Sequence, residues 1–107
     1  MTLKLKLQAE EISRPEIHDP DSNVIMAALR EIENADDSFV ILSHSETDYM
    51  QTDGYSLEYQ EGDLEAHFYS PSGFQSPEFA AQFFLSYADP NSNWWRKATQ
   101  WIKGYAP

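Results

Sequence analysis

The hydrophobic period changes several times along the chain, and each period predicts an element. Leu3, Leu5 and Leu7 alternate with Lys4 and Lys6, the strict period of two that marks a half-buried strand. The leucines are expected to point inward. Lysines on the other side discourage further pairing, which predicts an edge strand. Residues 8–18, QAEEISRPEIH, hold no sustained period, and Pro15 disfavours a helix there; they are expected to be irregular. A helical signal follows. Asp19 can cap, Pro20 suits the first helical position, and Asp21 favours the positive helix end. Val24, Ile25, Ala28, Leu29 and Ile32 then form one stripe at helical spacing, and residues 34–37 end it.

SFVILSH, residues 38–44, is a continuous apolar, β-rich run and predicts a central strand covered at least partly on both faces. After the turn SETD comes DYMQTDGYSLEYQEGDLEAHFY, residues 48–69, which reads as three strands joined by two tight turns. Asp53-Gly54 predicts a two-residue hairpin turn, pairing Thr52 with Tyr55, Met50 with Leu57 and Tyr49 with Glu58. The second turn, around EGD, must hold an even number of residues, because an odd one would send apolar and polar sets to the same face. With an even turn, Tyr55, Leu57, Tyr59, Leu64, Ala66 and Phe68 share one face. Gln51, Glu58, Gln60, Glu65 and His67 share the other.

Ser76-Pro77-Glu78 is a capped helix start. Phe79, Phe83, Phe84 and Tyr87 make an aromatic stripe at spacings of three and four, and Asp89-Pro90 ends it. Ser92 or Asn93 can cap a last helix, WWRKATQWIK, which Gly104 would terminate. The order β-α-β-β-β-β-α-α predicts a single α+β domain over residues 1–107, with an antiparallel sheet of about five strands and helices packed on one face.

Composition narrows the function classes. A chain of 107 residues, 41% apolar and 14% aromatic, is one domain with material for a core. The absence of cysteine excludes disulfides, thiolate nucleophiles and cysteine-based zinc sites. No run is long and apolar enough for a signal peptide core or a membrane span, so the expected location is cytoplasmic. Eighteen acidic residues against seven basic give a net charge of −11. Such a surface repels nucleic-acid phosphates and anionic lipids and attracts a basic protein partner. Asp36, Asp37, Glu46, Asp48, Asp53, Glu61 and Asp63 fall in predicted turns, where they would focus negative potential; turns also favour Asp for local hydrogen bonding.

Candidate chemistry concentrates on the polar sheet face, at Tyr49, Gln51, Glu58, His67 and Tyr69. Glu58 and His67 are expected directly across from each other or one pair apart. A carboxylate there can hold and orient the imidazole, the start of acid–base chemistry. The same residues also suit an ordinary solvated face with a cross-strand charge pair. His18, His44 and His67 lack the spacing of a metal motif, and no metal or cofactor is expected; only His44, His67 and Glu58 could be gathered by a sheet. There is no G-x-S-x-G, and four separated glycines make no phosphate loop. If the last helix forms, Trp94 and Trp101 share a face and Trp95 points elsewhere. One tryptophan face is expected on the core. The remaining indole, with Arg96, Lys97 and Lys103 nearby, is a basic-aromatic patch, so Trp94, Trp95, Arg96 and Trp101 form a second candidate interface, for a homodimer or an adaptor contact.

The ordered set FVIL, DYMQTDG, LEYQEGD, HFYSP, PEFAAQFFLSY and NWW, over residues 37–95, resembles a pattern of small stand-alone bacterial α+β proteins, some of them similar to the immunity proteins that neutralise polymorphic toxins. The resemblance implies a toxin-blocking protein, acidic where its toxin is a basic nuclease. It carries over no catalytic residue set. The N-terminal strand and the doubled tryptophan depart from the pattern. Three expectations result: a binding protein of immunity or inhibitor type that occludes a basic partner through Tyr49, Gln51, Glu58, His67 and Tyr69; a small-ligand binder or enzyme using Glu58 and His67, which needs a concave pocket over that face; or a subunit that dimerises through the tryptophan helix. Under the first, Glu58→Lys with His67→Glu should abolish binding and leave thermal stability almost unchanged.

Overall fold

The computed structural model describes residues 3–9, 12–13, 15–33 and 38–107. Among them the fold is α+β, an antiparallel sheet with three helices. The strands are β1 (Lys4–Ala9), β2 (Ile12–Ser13), β3 (Ile17–His18), β4 (Phe39–Ser43), β5 (Tyr49–Thr52), β6 (Leu57–Gln60), β7 (His67–Tyr69) and β8 (Ile102–Lys103). The helices are α1 (Ser22–Ile32), α2 (Pro77–Ala88) and α3 (Trp94–Lys97). The sheet runs β2-β1-β4-β5-β6-β7-β8, and β3 also pairs with β1.

The sheet therefore exceeds the expected five strands. The additions β2, β3 and β8 have two residues each, too few to leave a period in the sequence. They also correct two expectations. Ile12–Ser13 and Ile17–His18 are strand rather than irregular, and β1 is not an edge strand, because β2 and β3 pair along its other side at Ala9↔Ile12 and Lys4↔His18. The expected helix end at 34–37, with Asp36 and Asp37, lies outside the described residues, as does the side chain of Leu7.

Helix α1 is capped by Asp21, whose Oδ1 accepts from the Val24 amide at 2.9 Å. Asp19, the expected cap, sits at φ +48 and accepts from the Leu3 amide instead, tying the helix approach to β1. The predicted stripe holds: Ile25, Ala28, Leu29 and Ile32 are buried. Helix α2 starts as read, with Ser76 Oγ accepting from Phe79 N at 3.0 Å and Pro77 in the first turn, and it ends at Asp89.

The β5–β6 turn has four residues, not two. The register is Thr52↔Leu57, Gln51↔Glu58, Met50↔Tyr59 and Tyr49↔Gln60. Asp53 causes this: its Oδ1 accepts from the amides of Tyr55 (2.9 Å) and Ser56 (2.8 Å), which closes a wider turn than the dipeptide signal implies. The register moves by two residues, so each side chain keeps its face. The next turn is even, as required, with residues 61–66 between the pair Gln60↔His67. Leu64, Glu65 and Ala66 form a 3-10 turn capped by Asp63 rather than extending β7. Leu64 and Tyr55, expected on the apolar face, stand in solvent.

The last predicted helix stops after one turn. Trp95 and Trp101 lie six residues apart, about 240° around an α-helix, yet both pack edge-on against Tyr59, at 4.8 and 4.7 Å. Satisfying both requires the helix to end. The chain then turns back, with Trp101 Nε1 donating to the Trp95 carbonyl at 3.0 Å, and adds β8 to β7. The core lies between the helices and one sheet face: Leu5, Val40, Leu42, Met50, Leu57 and Tyr59 meet the buried side chains of α1, α2 and Trp95.

Candidate functional site on the outer sheet face

The opposite face of the sheet carries two polar rungs. Pairing places Lys4, Ser43, Tyr49, Gln60 and His67 along one. Lys6, Ile41, Gln51, Glu58, Tyr69 and Ile102 lie along the next. All five predicted patch residues, Tyr49, Gln51, Glu58, His67 and Tyr69, are thus on one face. Glu58 and His67 are one pair apart, because His67 faces Gln60 and Glu58 faces Tyr69.

His67 is held from both sides of its ring. Nε2 lies 3.2 Å from Glu58 Oε1 and Nδ1 lies 3.2 Å from Gln60 Oε1. The Gln60 amide is oriented by its other bonds: Oε1 accepts from Tyr49 Oη at 3.1 Å and Nε2 donates to the Thr47 carbonyl at 3.3 Å. Nδ1 therefore donates to Gln60 Oε1, and Nε2 faces the Glu58 carboxylate. Glu58 is satisfied as well, with Oε1 accepting from the Ala106 amide at 3.1 Å and Oε2 3.4 Å from both Gln51 Nε2 and Ser56 Oγ.

A segment absent from the sequence-based site covers this pair. Beyond β8, Gly104 N donates to the His67 carbonyl at 2.8 Å, and the Tyr105 ring stacks on the imidazole with centroids 4.0 Å apart and planes 18° apart. His67 is left 1% exposed. The Tyr49 hydroxyl, edge-on to the same imidazole, has its pKa pushed above the usual tyrosine value, first by burial and then by Tyr105 and Glu58. Beside the covered pair is a cleft of about 500 Å³, lined among others by Asp53, Tyr55, Glu58, Tyr69, Ile102 and Ala106. Neither ring nitrogen of His67 is free, so this arrangement offers a polar anchor rather than a poised base. Its burial also makes charge reversal at Glu58 and His67 a change to the fold, contrary to the expectation of unchanged stability.

Two further features flank the pair. Lys4, Lys6, Ser43, Tyr49 and Gln51 help line a hollow of about 460 Å³ on the same face, and Lys4 lies 4.0 Å from Glu16. At one end of the sheet, turns 44–48 and 61–66 are joined by Asp48 Oδ1 accepting from Gly62 N at 2.6 Å. This end gathers Glu46, Asp48, Glu61 and Asp63; Asp53 lies at the other end, capping its own turn. Here Leu64 is 72% exposed between Asp63 and Glu65, beside a hollow of about 620 Å³ that Glu46 also lines.

The tryptophan segment divides differently from the expectation. Trp95 is buried and Trp101 half-buried in the core, leaving Trp94 and Arg96 at the surface. Trp94 packs on Phe83 at 5.1 Å. Arg96 lies over the Trp95 ring at 4.3 Å and pairs with Glu61. His44 is on the helix side, its ring 4.9 Å from Tyr87, so the sheet does not gather His44 with His67 and Glu58. Among the described residues no group of three His, Cys, Asp or Glu is placed to hold a metal, and no helix is long and apolar enough to cross a membrane.

Of the residues that build the site, the sequence reading lacked Gln60 as a bridge, and Tyr105 and Ala106 altogether. Gln60 had a signal, its place on the polar parity; 104–107 had none. None of the protein-family models, curated proteins or solved structures compared with the chain matches it.

Proposed function

We propose that the chain is a cytoplasmic protein-binding domain of immunity or inhibitor type that occludes a basic partner. The observation that carries this reading is the acidic end of the sheet, where Leu64 stands exposed inside a rim of Glu46, Asp63 and Glu65. An apolar centre with a charged rim is the anatomy of a protein interface, and the net charge of −11 supplies long-range attraction for a basic surface. The Glu58 charge is consumed by internal bonds. Attraction would therefore come from the acidic turns, with Tyr49, Gln51 and Tyr69 extending the contact along the sheet.

The test is capture from the native cell with tagged wild type and Leu64→Lys, washed at low and then high salt. A basic protein retained by wild type, released by salt and absent from the variant is the expected outcome. Leu64 is solvent-exposed, so the variant should melt with wild type. Retention of the same protein by both, or capture of an acidic one, overturns the reading. A second reading, a small ligand beside Glu58, is favoured by the 500 Å³ cleft, which is within the usual size of ligand sites.

A further inference from the structure

We propose that the outer edge of β7, with Glu58 and His67 beside it, is a receptor groove for an extended peptide segment bearing an aromatic residue, and that residues 102–107 are its resident, displaceable occupant. The inference deepens the binding reading and rests on the outer face being where a partner is met; it names how the partner's segment enters.

The contacts of 102–107 are those of a docked peptide. Two residues add to the sheet edge, at Phe68↔Lys103 and Tyr69↔Ile102, the mode of strand addition. The Gly104 amide then donates to the His67 carbonyl, Tyr105 stacks on the His67 ring, and the Ala106 amide donates to Glu58 Oε1. The host side is organised without the occupant: His67 is fixed by Gln60 and Glu58, Gln60 by Tyr49 and Thr47, Glu58 by Gln51 and Ser56. The occupant is lightly held. Ile102 is 39% and Tyr105 58% exposed, and Lys103 is exposed too. Just upstream the chain is pinned, by Trp101 Nε1 on the Trp95 carbonyl and by Thr99 Oγ1 at 2.9 Å from Ser70 Oγ. The segment can thus leave the groove while the core stays closed, as local opening requires. The required ligand chemistry can be read from the resident: a short extended stretch, a small residue at the sheet edge, an aromatic ring for His67, and a free N–H one residue later for Glu58.

The probe is a labelled synthetic hexapeptide, IKGYAP, titrated by fluorescence anisotropy into the full chain as wild type and as Tyr105→Ala. In wild type the tethered segment competes at an effective concentration of roughly millimolar. Tyr105→Ala should therefore bind the peptide saturably and about tenfold tighter than wild type, and the same peptide with alanine for tyrosine should bind roughly tenfold weaker. In wild type the Gly104 and Ala106 amides should exchange with solvent far faster than those of β4. No saturable binding to Tyr105→Ala at millimolar peptide, or exchange at 104 and 106 as slow as in β4, overturns the groove. The two readings fail separately. Peptide binding alongside an unaltered Leu64→Lys capture removes the partner surface and keeps the groove; the opposite pair of results removes the groove alone.

Discussion

The two faces of this sheet come from one alternating pattern and are held by different forces. On the helix side, Tyr59 stacks on Phe68 at 5.0 Å and meets Trp95 and Trp101 edge-on, while Phe83 and Phe84 close the layer above. That face depends on apolar burial, which is non-directional. On the outer side, Tyr49, Gln60, His67 and Glu58 form a chain of hydrogen bonds in which each donor has one named acceptor. A register two residues away from the simplest hairpin leaves the first face intact and gives the second a different set of partners. Tyr49 then meets Gln60 instead of Glu58. Burial tolerates such a shift; a polar network is defined by it.

The comparison is broken most easily from the inner side. Phe84 is fully buried, so Phe84→Ala should cost about 3–5 kcal/mol through lost burial and the cavity it leaves. Urea unfolding measures this directly, and a loss below 1 kcal/mol would mean that the aromatic layer is not where the stability lies. A smaller effect is expected outside. Gln60→Leu keeps the volume near its original value but strips the Nδ1 proton of His67 and the Tyr49 hydroxyl of their acceptor. The expected cost is about 1–3 kcal/mol, that of a buried polar group left unpaired. If Gln60→Leu were neutral or stabilising, the outer network would be ornamental to folding and the two faces would not differ as argued.

How far each face was legible follows from the same physics. The apolar stripes of α1 and α2 were readable because helical spacing and core burial agree at Ile25, Leu29, Phe83 and Tyr87. The polar parity of the sheet was readable too, since a period of two survives an error of two in register. The turn length departs from the dipeptide rule because Asp53 acts through its side chain, bonding two amides, while that rule reflects only backbone preference. The strand β8 and the cover formed by Tyr105 were not readable. They follow from Trp95 and Trp101 both seeking Tyr59, a tertiary demand that overrides a good helical pattern. The proximity of Glu58 and His67 was legible; the bonds that occupy both ring nitrogens were not, because they depend on Gln60 and on which residues face it.

The finest distinction between the faces is their response to alkali. Tyr87, on the helix side, has its pKa pushed far above the usual tyrosine value, chiefly by burial, with Asp48 and Glu61 adding and Arg96 opposing. Tyr49, outside, is raised as well, again by burial first. For an acid whose folded pKa lies above its unfolded one, the folded state holds the proton longer. Each tyrosine's contribution is therefore complete below about pH 10, the unfolded value, and is lost as the pH rises above it toward the folded value. Stability measured by urea unfolding should start to fall in this way above about pH 10, by at most about 1.4 kcal/mol per pH unit per tyrosine. Tyr87→Phe removes the titrating hydroxyl from the deeper site and should flatten the slope more than Tyr49→Phe does. Equal slopes in the two variants would place the two hydroxyls in equivalent surroundings, and an inner face that excludes charge more strongly than the outer one would then have to be given up.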